Sequence, residues 1–183
     1  QELQEFEVGG WFSPEFSGEK IPMLEEVLDY CKGKINLNIE IKNVGKESLL
    51  PEKVVRLILE RGMEGQCVVS STSLGYLEQV KLLAPGLRTG YILSAAYGDF
   101  DFGEKVDFIS IRASFVNHHM VEKAHFRGMA VHAWTVNSKS EMERLRLMEV
   151  DNLITDYPVL AREIVYREEA TETLLEYLQM VFR

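Results

Sequence analysis

The sequence predicts an α/β fold in which parallel strands are covered by helices, either as an open sheet or as a barrel. Three observations predict it. Apolar runs about six residues long alternate with stretches of helical spacing along most of the chain. The early run INLNIEIKN, residues 35–43, puts Ile35, Leu37, Ile39 and Ile41 on one side and Asn36, Asn38, Glu40 and Lys42 on the other. No repeat and no linker rich in Pro, Gly or Ser divides the 183 residues, so a single domain over 1–183 is expected.

The elements follow in order. GEKIPMLEEVLDYCKGK has Pro22 near a helix start, Met23, Val27 and Leu28 on one apolar face, and Gly33 as its stop. The polar-faced strand at 35–42 comes next. ESLLPEKVVRLILERG then places Pro51 in a first turn and Val54, Val55, Ile58 and Leu59 on one stripe. QCVVSS reads as a strand, and SLGYLEQVKLLAPG as a helix through Leu74, Leu77, Val80 and Leu83 with a Pro-Gly stop.

LRTGYIL is strand-like, AAYGDFDFGEK is a loop, DFISIRAS is a strand and FVNHHMVEKAHFRG is a helix ending at Gly128. MAVHAWTVN, SKSEMERLRLMEV and DNLITD give strand, helix and a sixth strand, with Asp156 and Pro158 opening the last helix. That close includes a C-terminal helix at about 167–183, whose Leu174, Leu175, Leu178, Val181 and Phe182 fall at helical spacing.

Composition narrows the partners. A net charge of -9, with no dense block among the 20 Lys and Arg, excludes nucleic acid as a natural ligand and disfavours an anionic membrane surface. No apolar run is long enough to cross a bilayer. QELQEFEVGG has none of the features of a signal peptide and reads as a chain entered midway. Cys31 and Cys67 form no C-x-x-C pair and are expected to be buried small apolar residues.

Glu40 and Lys42 fall at the carboxyl end of their strand, where parallel α/β folds gather their ligands. A carboxylate there offers oxygen to Mg²⁺ or Ca²⁺, and an ammonium two residues on can neutralise a phosphate oxygen. The alternative is an edge strand with a solvated polar face. In MAVHAWTVN, Trp134 shares a face with His132 and is placed either to wall a small-molecule pocket or to fill a core. His132 is expected to be a core histidine. Ser70 and Ser71 lack a G-x-S-x-G elbow, so a nucleophilic serine is not expected. His118 and His125, two helical turns apart, cannot share a metal ion, and with His119 they are expected to be solvated or to cap the helix.

WFSPEFSGEKIPMLEEVL, LNIEIK, VVSSTSLGYLEQVKLLAP, HAWTVN and VDNLITDYP, in this order and spacing, resemble the glycerophosphodiester phosphodiesterases over nearly all of residues 8–165. TGYILSAAYGDFDFGEKVDFISIRASFVN is most similar to the bacterial membrane-anchored branch, in which a transmembrane region precedes the catalytic domain. The resemblance implies a (β/α)₈ barrel of the TIM type that hydrolyses glycerophosphodiesters to glycerol 3-phosphate and an alcohol. It implies Ca²⁺ or Mg²⁺ held by three acidic residues and a pair of histidines for acid–base work. The acid of the family's E-x-K motif falls on Glu40, a metal ligand, its lysine on Lys42 and the aromatic of W-T-V-N on Trp134, both toward substrate.

The family's H-R-G strand, P-E-N-T segment, E-x-D strand and second histidine have no counterpart here. The resemblance therefore implies six of eight strands, one of three metal carboxylates and no catalytic histidine. The expectation is the carboxyl-terminal part of a phosphodiesterase, soluble and nearly inert by itself, from a parent anchored in a bacterial membrane. Its open barrel edges are expected to be covered by pairing between two chains or by the acidic C-terminal helix, with a dimer or higher homo-oligomer expected for the isolated fragment and the missing N-terminal barrel segment as a further partner. The alternative is a truncated barrel acting as a binding or regulatory module.

Overall fold

The computed structural model describes residues 2–42, 49–93 and 101–166. Helix α1 (Leu24–Cys31) precedes β1 (Leu37–Glu40), followed by α2 (Leu50–Glu60), β2 (Cys67–Ser71), α3 (Leu74–Leu83), β3 (Arg88–Leu93), β4 (Phe108–Arg112), α4 (His118–Phe126), β5 (Ala130–Trp134), α5 (Lys139–Leu147) and β6 (Asn152–Leu153). Residues 158–166 form a further helix. The expected helix at about 167–183 lies outside the described residues, as does much of the loop before β4.

All neighbouring strands pair in parallel, in the chain order β1-β2-β3-β4-β5-β6. Asn38 of β1, Ser110 of β4 and Asn152 of β6 line one cavity, so the sheet curls until its first and last strands face the same space. This is an incomplete barrel of the (β/α) type. The helices cover the convex face because the strands' other side chains point outward and are apolar.

That outer core has two parts. Leu28, Ile41, Val55, Ile58, Val69 and Val80 gather around β1 and β2. Ile109, Ile111, Val121, Val131, Met142 and Leu145 gather around β4 and β5. Helix α3 serves both, with Tyr76 and Val80 in the first cluster and Leu77 in the second.

The helix stops follow the sequence closely. Gly33, Gly62 and Gly128 take φ of +72°, +59° and +73° just beyond α1, α2 and α4, a conformation that glycine adopts without strain. Asn117 and Ser138 accept the N–H groups of Met120 and Glu141 at the starts of α4 and α5.

Several sequence expectations are corrected. Met23 precedes α1 instead of joining its apolar face, its N–H donating to the Glu26 carboxylate at 2.6 Å. Leu59 and Leu83 are 41% and 48% exposed, because the buried stripes of α2 and α3 run through Pro51, Val54, Val55 and Ile58 and through Tyr76, Leu77 and Val80. Ile35 lies before β1 and is exposed. Cys67 is buried, but Cys31 is only partly so. Asp156 does not cap the last helix among the described hydrogen bonds; its carboxylate accepts from the Asn137 amide, and Thr155 Oγ1 accepts the Tyr157 N–H.

The first residues wind into a compact hook. Glu7 accepts N–H groups from Gly9, Gly10 and Gly18, and these donors hold its carboxyl below the usual range.

Candidate functional site

β1 carries its polar residues inward. Leu37, Ile39 and Ile41 pack toward α1, α2 and α3, which turns Asn38 and Glu40 to the concave side. Among the described strands β1 is also an edge, and its polar face lines a cavity. The cavity is about 530 Å³, and Asn38, Glu40, Ser70, Ser110 and Trp134 are among its walls.

Each wall has a local cause. Ser70 pairs with Glu40 in the β1–β2 register, and its hydroxyl donates to Asn38 Oδ1 at 2.9 Å. This bond fixes the Asn38 amide against β2. Ser71 faces the other way, donating to the Ile41 carbonyl at 2.6 Å. Ile41 N–H in turn reaches the Ser70 carbonyl, which carries the ladder one residue past Glu40 and fixes its backbone. Lys42 follows as an exposed residue beyond the strand, outside the cavity walls.

On the opposite side Trp134 ends β5, partly buried, with its indole N–H lacking an acceptor among the described residues. Arg112, its register partner at the end of β4, sets its guanidinium 5.6 Å from the indole centroid. Sequence reasoning passed over Arg112. The alternation that turns Glu40 inward, applied to FISIR, puts Phe108, Ser110 and Arg112 on one face and would have found it.

Below the cavity the barrel interior is closed by aromatic packing. Phe108 and His132 stack with centroids 4.0 Å apart and planes 19° apart. Burial, then the neighbouring Arg88 charge, pushes His132 down to about 4, so it is a neutral ring near pH 7. His132 is therefore buried as expected, but it faces the lumen and not the helices. His118 and His119 are exposed at the start of α4, and His125 pairs with Asp151 at 2.8 Å.

The structure thus brings Glu40 and Trp134 to one cavity and does not bring Lys42 into its walls. As a cation site the arrangement is insufficient. Among the described residues no three His, Cys, Asp or Glu side chains gather where they could hold a metal ion, and hard divalent cations draw on several oxygens. Glu40 alone does not make such a site.

A curled parallel sheet with an acid, a base and an aromatic at the carboxyl ends of its strands defines the class of α/β barrels that take their ligands at that face. A model of the glycerophosphoryl diester phosphodiesterase family matches residues 1–160. The chain belongs to this family. It is 31% identical over 163 residues to a glycerophosphodiester phosphodiesterase of Caldanaerobacter subterraneus, across 86% of this chain and 67% of that protein. A phosphodiesterase of Oleispira antarctica, solved in complex with the product sn-glycerol-3-phosphate, superposes with a TM-score of 0.77 at 25% identity, covering 90% of this chain and 69% of that one. A glycerophosphodiester phosphodiesterase of Parabacteroides distasonis shares the fold at a TM-score of 0.75 and 20% identity, covering 92% and 71%. The chain spans about two thirds of the length of its curated relatives, 63% of one from Bacillus subtilis.

Proposed function

We propose that this chain supplies one wall of a glycerophosphodiester phosphodiesterase site, which cleaves its substrate to glycerol 3-phosphate and an alcohol. The observation that carries the reading is the meeting of Glu40 and Trp134 in one cavity at the carboxyl ends of the strands, in a chain of this family. In this reading Lys42 neutralises a phosphate oxygen at the rim, and Trp134 gives an apolar wall to the bound diester.

Hydrolysis depends on Ca²⁺ or Mg²⁺, to which Glu40 contributes one oxygen. It also needs a positioned acid and base, and further carboxylates, which the described residues do not gather into a metal-holding group. Each absent acid–base group costs about 10²–10⁴ in rate, so residues 2–166 alone are close to inert. We take the chain to be the carboxyl-terminal part of the catalytic barrel of a parent anchored in a bacterial membrane. Among the described residues no helix is long and apolar enough to cross a membrane. β1 and β6 each leave one edge unpaired among the described strands, and these edges pair with the remaining barrel segment or with a second copy.

The absence of a metal-holding group among the described residues favours, as a second reading, a barrel module that binds without catalysis. Production of the full reading frame, followed by assay of glycerol 3-phosphate release from glycerophosphocholine with Ca²⁺ or Mg²⁺, separates the two. The enzyme reading expects turnover that Glu40→Gln abolishes. A full-frame product that binds glycerol 3-phosphate without turnover establishes the module instead.

A further inference from the structure

Arg112, beside the cavity-lining Trp134 at the end of β4, has no part in the phosphodiesterase reading. Arg112 is exposed, has no carboxylate or carbonyl partner among the described residues, and sets its guanidinium over the Trp134 ring at 5.6 Å from the centroid. Lys42 follows β1 and Arg112 ends β4, with β2 and β3 between those strands, so the two cations come from different parts of the sheet. A phosphodiester carries one negative charge, which Lys42 neutralises in the phosphodiesterase reading.

The Trp134 ring adds a second constraint. An open indole face attracts quaternary ammonium groups. Here a guanidinium already stands over that ring, so a cationic headgroup approaching it meets a like charge. A carboxylate or phosphate there would instead meet a planar donor fork that suits it.

Building on the phosphodiesterase reading, we propose that Arg112 determines specificity by binding an acidic group on the alcohol moiety, so that the site prefers diesters of anionic alcohols over cationic ones. The acidic group is a carboxylate or a phosphate.

Two matched pairs test this, each differing by one acidic group: glycerophosphoethanolamine against glycerophosphoserine, and glycerophosphoinositol against its 4-phosphate. Binding to the chain is read from the Trp134 indole N–H resonance, assigned with Trp11→Phe. The expected result is that the acidic member binds roughly tenfold more tightly, the scale of one charge-assisted hydrogen bond. Arg112→Gln removes that difference, and Arg112→Lys keeps part of it. A response in one pair only assigns the acidic group and supports the proposal.

Equal binding within both pairs overturns the proposal and leaves the phosphodiesterase reading standing. Equal weakening of both members by Arg112→Gln also overturns it, since Arg112 would then contact the shared phosphate. Absence of binding by every diester overturns the proposal, and the same absence in the product of the full reading frame overturns the phosphodiesterase reading with it.

Discussion

The ring of Phe108 occupies the space that a side chain at position 90 would fill: a Cβ on Gly90 would lie 2.0 Å from its Cε2 and Cζ. The two residues are register partners on β3 and β4. Gly90 is thus required by a close approach inside the barrel, and the approach lets Phe108 lie flat against His132.

Gly90→Ala is expected to destabilise the fold by about 3 kcal/mol, since Phe108 is fully buried and has nowhere to withdraw. Phe108→Leu in the same chain should recover a large part of that loss. Urea unfolding of the two single variants and the double variant measures the coupling; simple additivity would refute the steric account.

Stability should fall on acidification through the titration of His132. Its folded value of about 4 lies below the ordinary 6.5, so the unfolded chain binds the proton first. The stabilisation is whole above pH 6.5 and is lost as the pH falls toward 4, by at most about 3 kcal/mol. His132→Phe should flatten this part of the profile, as read from urea midpoints between pH 4 and 7. Parallel profiles would show that carboxylates alone set the slope.

Asp107 holds a fully buried partner and a partly buried one. Its carboxylate accepts the Thr89 N–H at 2.6 Å and meets Lys81 at 2.8 Å. Asp107→Ala strands the amide of fully buried Thr89 and should cost about 1–3 kcal/mol. Lys81→Ala removes only a partly exposed ion pair and should cost about 0.5 kcal/mol. Thermal melts of the two variants give the ranking.

Glu40→Gln should leave the unfolding midpoint within about 0.5 kcal/mol of the parent, because the side chain is exposed and takes part in no described hydrogen bond. On the phosphodiesterase reading it should abolish any Ca²⁺- or Mg²⁺-dependent gain in glycerol 3-phosphate affinity, measured by calorimetry. An unchanged gain would remove Glu40 from the site.

Much of the architecture was legible because the two periodicities of the chain are local. Alternation in NLNIEI and stripes such as Val54, Val55 and Ile58 need only neighbours in sequence to be seen. Relationships across strands were not. Nothing in RTGYIL marks Gly90 as room for a ring, and nothing in FISIR marks Arg112 as the partner of Trp134, because register is set by pairing between segments far apart in sequence. Leu59 and Leu83 were misplaced for a similar reason: hydrophobicity marks a broad stripe, and the angle at which a helix seats on the sheet decides its margins.

The strand order has a mechanical consequence. Because each of the described strands hydrogen-bonds only to those before and after it, coupling between them passes largely from neighbour to neighbour, as in a stacked array, with α3 as the joint between two apolar halves. Damage at one rim should therefore fade with distance along the array. Amide exchange should show slow central rungs flanked by faster outer ones, with the fraying beginning at the strand that carries Glu40.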